Sequence, residues 1–146
     1  MTFRFLLALL SLVVLAACSG CASASGGQAL SVRRIYLMAQ PNIAGTSTTD
    51  PSLVSGIDRF SATAKTGYFN VIFNDGAAHS VQFAILRDAT TSVYNGNGSV
   101  AFDGRPWLWR AWSFRFPIAG TLTEGRYRLD VTVDGVSAGN YPFTVE

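Results

Sequence analysis

The residues best suited to molecular recognition lie in one short run, which holds all three tryptophans of the chain. Trp107 and Trp109 stand between Arg105 and Arg110, and Trp112 follows two positions later. Indole rings and guanidinium groups are preferred anchors of interfaces, because both combine a large flat surface with hydrogen-bond donors. The run therefore predicts a binding patch for a sugar ring, a peptide or a partner protein.

Strand periodicity bears on whether these rings face solvent. Trp112, Phe114 and Phe116 recur every second residue, as on the buried face of a strand. Strict alternation then places Trp107 and Trp109 on the opposite face. Two alternatives bury both rings instead, namely a β-bulge that shifts the register and a loop folded over the end of the domain. The exposed arrangement is the one that predicts the recognition patch.

Catalytic and metal-binding motifs are not recognised. His79 is the single histidine and stands beside a probable turn, without the cysteine and histidine spacing of a zinc site. We expect it to face solvent or to begin a strand. The acidic residues fall mainly in predicted turns, where carboxylates bond the backbone, although pairing of two carboxylates in space stays open. We predict neither enzymatic activity nor a metal site.

A glycine-rich run, Asn95-Gly96-Asn97-Gly98, offers a further candidate for chemistry. It is only faintly similar to a calcium-binding loop, because the aspartates and the terminal glutamate of that loop are missing. Asn-Gly pairs are typical of tight hairpin turns. We therefore interpret the run as a turn between two short strands.

The N-terminal segment combines Arg4 with an apolar run over residues 5–17 and ends in Leu15-Ala16-Ala17-Cys18. The run is too short to cross the roughly 30 Å hydrocarbon core of a membrane as a helix. These residues resemble the lipobox of bacterial lipoprotein signal peptides. The resemblance implies cleavage before Cys18, a diacylglyceryl group on its sulfur and acylation of the new amino group. An ordinary secretory signal, cleaved after Ala17 or Ala22, is the alternative.

A lipid on Cys18 would hold the mature protein at a membrane without a transmembrane helix. Each buried methylene contributes about 0.8 kcal/mol, so two or three acyl chains anchor a protein stably. The residue after the lipidated cysteine is Ser19 and not an aspartate. By the lipoprotein resemblance, this implies that the mature protein is held at the outer membrane, facing the periplasm. The small polar residues that continue to residue 30 predict a flexible tether with a reach on the order of 20 Å, in which Cys21 has no intramolecular partner. The covalent lipid is the only cofactor that we expect.

Loss of residues 1–17 changes the bulk composition. The positive mean hydropathy of the whole chain is inflated by that segment. Without Arg4, ten basic and nine acidic side chains remain, for a net charge of about +1. This balance argues against a nucleic-acid partner. The expected partners are the membrane, through the anchor, and an envelope protein or glycan.

Residues 31–146 are expected to form one domain, because they suffice for a core and no second linker divides them. Apolar and polar residues alternate over residues 126–134 and again over residues 141–145, with Asp134-Gly135 supplying turn chemistry between them. This pattern predicts a C-terminal hairpin. Further strands are predicted over residues 68–73, 80–86, 92–94 and 99–102.

The last third of the chain shows two features beyond alternation. Gly125 opens the penultimate predicted strand, and Phe143-Thr144-Val145 closes the last one. Residues 112–145 thereby resemble the final strands of bacterial extracytoplasmic immunoglobulin-like domains. The resemblance implies an all-β fold, an antiparallel immunoglobulin-like two-sheet sandwich of about seven to nine strands. It brings no catalytic residues to this chain.

These expectations combine into one functional hypothesis. The chain is expected to be a lipid-anchored cell-envelope protein that acts as a non-enzymatic binding or assembly module, with Arg105, Trp107, Trp109 and Arg110 as its recognition patch. Two alternatives stay open: a carbohydrate- or peptidoglycan-binding accessory lipoprotein, and a β-sandwich lipoprotein of a secretion machine.

Overall fold

The computed structural model describes residues 31–41, 55–103 and 110–146. They form eight strands: β1 Val32–Met38, β2 Arg59–Phe60, β3 Thr66–Phe73, β4 His79–Arg87, β5 Thr91–Val100, β6 Arg110–Pro117, β7 Gly125–Val133 and β8 Val136–Val145. This part of the chain contains no helix long and apolar enough to cross a membrane. The signal segment, Cys18 and the tether lie outside the described residues.

The strands form two sheets, with three strands in the order β1-β3-β6 and five in the order β2-β8-β7-β4-β5. Neighbouring strands are antiparallel, except that the short β2 runs parallel to β8. The apolar faces of the two sheets pack against each other around one core. The predicted all-β sandwich is confirmed, with the correction that the larger sheet is mixed at its β2 edge.

Aromatic rings hold the two sheets together at the centre of the core. Phe69 of β3 is fully buried, and its ring centroid lies 4.9 Å from that of Phe83 on β4. On its own sheet the same ring stacks on Phe114 of β6 at 5.2 Å. Trp112 lies partly buried against this core, two residues before Phe114 on the same face of β6. The predicted inward face of β6 is confirmed.

The C-terminal hairpin forms as predicted, with β7 and β8 joined at Asp134-Gly135. Both turn residues have positive φ, 50° for Asp134 and 80° for Gly135. Positive φ at both central positions defines the type I′ turn, whose twist matches the flanking strands. The inward residues of β7 are buried, as the alternation predicted: Tyr127, Leu129, Val131 and Val133.

A matched pair of substitutions tests the backbone strain in the two hairpin turns. Ala89, in the turn between β4 and β5, has φ of 61°, a conformation that costs a residue with a Cβ about 1–2 kcal/mol. We expect Ala89→Gly to stabilise the domain by about 0.5 kcal/mol, because glycine's greater freedom in the unfolded chain offsets part of the relief. Gly135→Ala should destabilise it by about 1 kcal/mol. Urea unfolding measures both changes, and an unchanged midpoint for Gly135→Ala would contradict the assigned turn.

The predicted turn at Asn95-Gly96-Asn97-Gly98 is wrong, because β5 runs through these residues and pairs with β4 along its length. Contacts with two aromatic rings explain why glycines stand in this strand. A Cβ on Gly98 would lie 2.6 Å from the Phe114 ring, and a Cβ on Gly96 would collide with the Phe83 ring. Glycine occupies both positions because the rings leave no room for a side chain.

Candidate functional site

Arg110 is the one residue of the predicted recognition patch within the described part of the chain, and it is buried, with 6% of its surface exposed. Nη1 donates a hydrogen bond to the Ala101 carbonyl at 2.8 Å, and Nη2 donates one to the Ala77 carbonyl. The guanidinium also lies 5.8 Å from the centroid of the Phe73 ring. The predicted recognition patch includes Arg110, but Arg110 pairs with Phe73 on the inward side of its sheet, the face that Trp112 shares. Arg105, Trp107 and Trp109 lie outside the described residues.

His79 joins three segments at the same end of the sandwich. It begins β4, as one sequence interpretation held, but it is buried and does not face solvent. Nδ1 lies 2.7 Å from Oδ2 of Asp134, in the β7–β8 turn, and Nε2 lies 2.8 Å from Oδ1 of Asp75, in the loop before β4. The imidazole stacks on Phe73, with centroids 4.3 Å apart and planes 5° from parallel.

The two carboxylates owe their charge state to these contacts. For Asp75, partial burial acts to raise the pKa, but hydrogen bonds from Ser31, His79 and the Ala77 amide outweigh it and lower the pKa. For Asp134, burial again acts to raise the pKa, and hydrogen bonds from His79 and Ser80 lower it. Both carboxyls are therefore held in the ionised form that accepts hydrogen bonds.

This Asp75–His79–Asp134 bridge suits a structural role better than a chemical one. Both ring nitrogens are occupied by carboxylates, so the imidazole has no vacant nitrogen to take a proton from a substrate. Within residues 31–41, 55–103 and 110–146, no group of three or more His, Cys, Asp or Glu could hold a metal ion. The bridge ties the β3–β4 loop to the β7–β8 turn.

A groove opens along one side of the sandwich, where the edge strands β5 and β6 of the two sheets face each other. Its volume is about 410 Å³. Tyr94 and Trp112 are half-buried in its walls, and the buried Phe83 and Phe114 rings pack against the glycines of β5 in its lining. The lining residues are Tyr68, Phe83, Tyr94, Gly96, Asn97, Gly98, Ser99, Trp112, Ser113, Phe114 and Arg115.

The accessible surface of the groove is more polar than apolar, with aromatic side chains beneath a polar rim. Asn97, Ser99 and Arg115 are exposed, and Arg115 is the charged residue in the lining. Aromatic surface with a small number of placed polar groups is the usual make-up of a ligand site. We therefore regard the β5–β6 groove as the candidate binding site.

Sequence reasoning missed most of this groove. Of its residues it singled out Trp112 and Phe114, for the core, and Gly96, Asn97 and Gly98, for a turn. One signal was available, since glycine at every second position within an uncharged run is compatible with an edge strand beside large side chains. The aromatic partners come from other strands, so the signal becomes specific only with the fold.

The described residues define a β-sandwich protein with an open groove between two sheet edges. No protein-family model matches the chain, and no curated protein matches it. Among solved structures, the chain is similar to Pseudomonas fluorescens alkylpurine DNA glycosylase AlkC bound to DNA containing an abasic site analog. The match has 16% identity and a TM-score of 0.37, and it covers 61% of this chain but 27% of that one. A likeness this weak carries no functional argument.

Proposed function

We propose that this chain is a lipid-anchored cell-envelope protein that acts as a non-enzymatic binding or assembly module. The observation that carries the binding role is the β5–β6 groove, with Tyr94 and Trp112 half-buried in its walls. The lipobox-like residues that end at Cys18 support the anchor, and Ser19 supports the outer membrane.

The groove supports binding because the half-buried Tyr94 and Trp112 rings are still partly accessible to water. Burying apolar area releases about 25 cal/mol per Å², and a partner that covers both half-buried rings gains from this term. The Tyr94 ring is also held in place, since its centroid lies 6.0 Å from that of Phe83, and the Phe83 ring packs on Phe69. Rigid aromatic walls lose little conformational entropy when a partner binds.

A glycan is the second candidate ligand. Trp112 and Tyr94 offer aromatic surface for a sugar ring, and Asn97 and Arg115 add hydrogen-bonding groups in the same groove. Sedimentation with purified peptidoglycan, compared with capture of envelope proteins, separates this candidate from a protein partner.

The anchor gives the first functional prediction. We expect fatty-acid labelling of the wild-type protein and complete loss of label in Cys18→Ala, because the sulfur of Cys18 receives the lipid. Cys21→Ala is the matched control and should label as the wild type does. Equal labelling of Cys18→Ala, or its normal processing after Ala17, would show that the segment is an ordinary secretory signal.

The groove gives the second functional prediction. We expect Arg115→Ala to weaken capture of the envelope partner by about threefold or more, since Arg115 is the charged residue in the lining and an exposed charge at the rim of an interface contributes modestly. Arg126→Ala is the control, because Arg126 is also an exposed strand arginine but lies outside the lining of the groove. Binding curves from envelope extract measure both variants. Equal losses would place the partner elsewhere on the molecule.

A further inference from the structure

Strand β5 differs from the other sheet edges in its lack of protection against pairing. Edge strands of natural proteins are usually blunted by charge, proline or short length. β1 carries Arg33 and Arg34, β6 carries Arg115 and Pro117, and β2 has two residues. β5 has ten residues and contains neither a charged residue nor a proline. Among the described strands it pairs with β4 alone.

The contacts of Ser80 reveal which backbone groups of β5 point away from the sheet. Its N–H donates to Oδ1 of Asp134 at 2.8 Å, and its carbonyl accepts from the Asp134 N–H at 2.9 Å. The backbone groups of Ser80 therefore face the β7 side. Successive residues of a strand alternate in this direction, so Val81 faces β5 and bonds its partner Gly98.

The same alternation fixes the direction of the backbone N–H and C=O groups in the residues that flank Gly98. The residue opposite Ser80 is Ser99, whose N–H and C=O must point away from β4. Asn97 and Asn95 share this direction, because the register stays regular from Ser99 back to Tyr94. Three residues at every second position thus present main-chain donors and acceptors along the edge of β5 that no described strand covers, here called the free edge, beside the groove.

The side chains of β5 leave room for those of an added strand. Tyr94, Gly96 and Gly98 pair with Ile85, Phe83 and Val81, so they share the inward face of the sheet. Two of these three inward positions have no side chain. The Phe83 and Phe114 rings occupy the space beside these glycines, and a neighbouring strand would direct alternate side chains into the same layer, against the groove that these rings line.

This pattern favours a partner protein over a second copy of the chain. Antiparallel self-pairing of β5 centred on Asn97 would place Gly96 and Gly98 of the second copy opposite Gly98 and Gly96, and these residues have no side chains to fill the groove. Arg115 is the charge in the lining, so an acidic residue in the partner segment would complement it.

We propose that the free edge of β5 accepts an extended segment of a partner protein as an additional antiparallel or parallel strand. The segment carries at least two large apolar side chains two positions apart, which fill the β5–β6 groove, and an acidic residue near Arg115. Main-chain bonds to Asn95, Asn97 and Ser99 supply affinity, and the groove supplies specificity. The inference rests on the proposed binding function and specifies its mode.

A peptide selection tests the proposal on the full chain purified in detergent. Linear ten-residue peptides displayed on phage are panned against the protein, and enriched peptides are synthesised and titrated by fluorescence anisotropy. We expect enriched sequences to share large apolar residues at every second position. Asn97→Pro should weaken their binding at least tenfold, because proline removes an outward N–H without removing a bond to β4. Asn97→Ala removes the side chain but retains the N–H, so it should bind more tightly than Asn97→Pro and shows how much of the loss belongs to the main-chain donor.

Methylating alternate backbone nitrogens of an enriched peptide provides a test that does not depend on how the proline variant folds. One set of methyl groups should abolish binding and the other should not, because alternate N–H groups face β5. Equal binding to Asn97→Pro and Asn97→Ala, equal tolerance of both methyl sets, or no enriched peptide would overturn strand addition. A dimer in sedimentation that Asn97→Pro dissociates would instead assign the edge to a second copy.

The outcomes also separate this inference from the proposed function. Loss of the Cys18 lipid or of any envelope partner would remove the proposed function but would leave peptide binding measurable. Arg115-dependent capture of an envelope partner without peptide binding would remove strand addition alone.

Discussion

Replacing His79 by alanine is expected to lower the free energy of unfolding by about 3 kcal/mol. The substitution removes a ring that stacks on Phe73 and leaves a cavity in a buried site, a change that typically costs about 2–5 kcal/mol. It also removes both carboxylate contacts. Asp75 and Asp134 are partly exposed and regain hydrogen bonds to water, so losing these two contacts adds little to the free-energy cost of the cavity.

His79→Phe separates the two contributions. Phenylalanine keeps an aromatic ring against Phe73 but cannot bond either carboxylate, so we expect it to recover part of the lost stability. Urea unfolding of the full chain in detergent measures both variants. If His79→Ala unfolds at the wild-type midpoint, the Asp75–His79–Asp134 bridge has no structural role.

The pH dependence of the same measurement gives a second check. Asp75 and Asp134 have pKa values below the ordinary 3.8, since hydrogen bonds to the ionised carboxylates outweigh the opposing effect of burial. A lowered pKa in the folded state contributes stability above the pKa of the unfolded chain, and the contribution is lost as pH falls through the folded-state pKa. We expect stability to fall on acidification below about pH 4, and to fall less steeply in the variant with Asp75→Asn and Asp134→Asn.

Replacing Phe69 by alanine is expected to cost about 3–5 kcal/mol, the usual range for a fully buried phenylalanine. Its ring contacts Phe83 on the facing sheet and Phe114 on its own sheet, so the cavity opens at the junction of the two sheets. These two rings also line the β5–β6 groove. The substitution should therefore weaken partner binding as well as folding.

Tyr68→Ala is the matched control for stability, because Tyr68 is the preceding residue and its side chain is half-exposed on the opposite face of β3. We expect a loss of about 1 kcal/mol or less from this change. Thermal and urea unfolding of both variants provide the comparison. Similar losses would show that the buried face of β3 is not the one assigned to Phe69.

The strands with strong local signals could be predicted from sequence. In β7, alternation alone identified the buried residues Leu129 and Val131. The turn that follows depends on Asp134 and Gly135 themselves, which adopt its positive φ values. Periodicity and turn chemistry are properties of neighbouring residues, so they can be recognised without knowledge of the fold.

The candidate groove required contacts between distant residues. Asn95-Gly96-Asn97-Gly98 has the local signature of a turn, yet it pairs with β4 as an extended strand, and its glycines accommodate the Phe83 and Phe114 rings. The same limit applies to Arg110, which the sequence placed in the recognition patch while its pairing with Phe73 directs it inward. Carbonyl groups of Ala101 and Ala77 accept hydrogen bonds from Nη1 and Nη2 there, and no sequence pattern indicates that they converge.

The sequence by itself therefore determined the all-β class, the C-terminal hairpin and the inward face of β6, because each follows from alternation or turn residues within a few positions. Only the tertiary structure decided the strand identity of β5, the burial of His79 and the position of the groove. His79 meets Asp134 across 55 residues of sequence, and the groove joins edges of two different sheets. Such arrangements depend on how strands pair and sheets pack, and these long-range contacts override local preference.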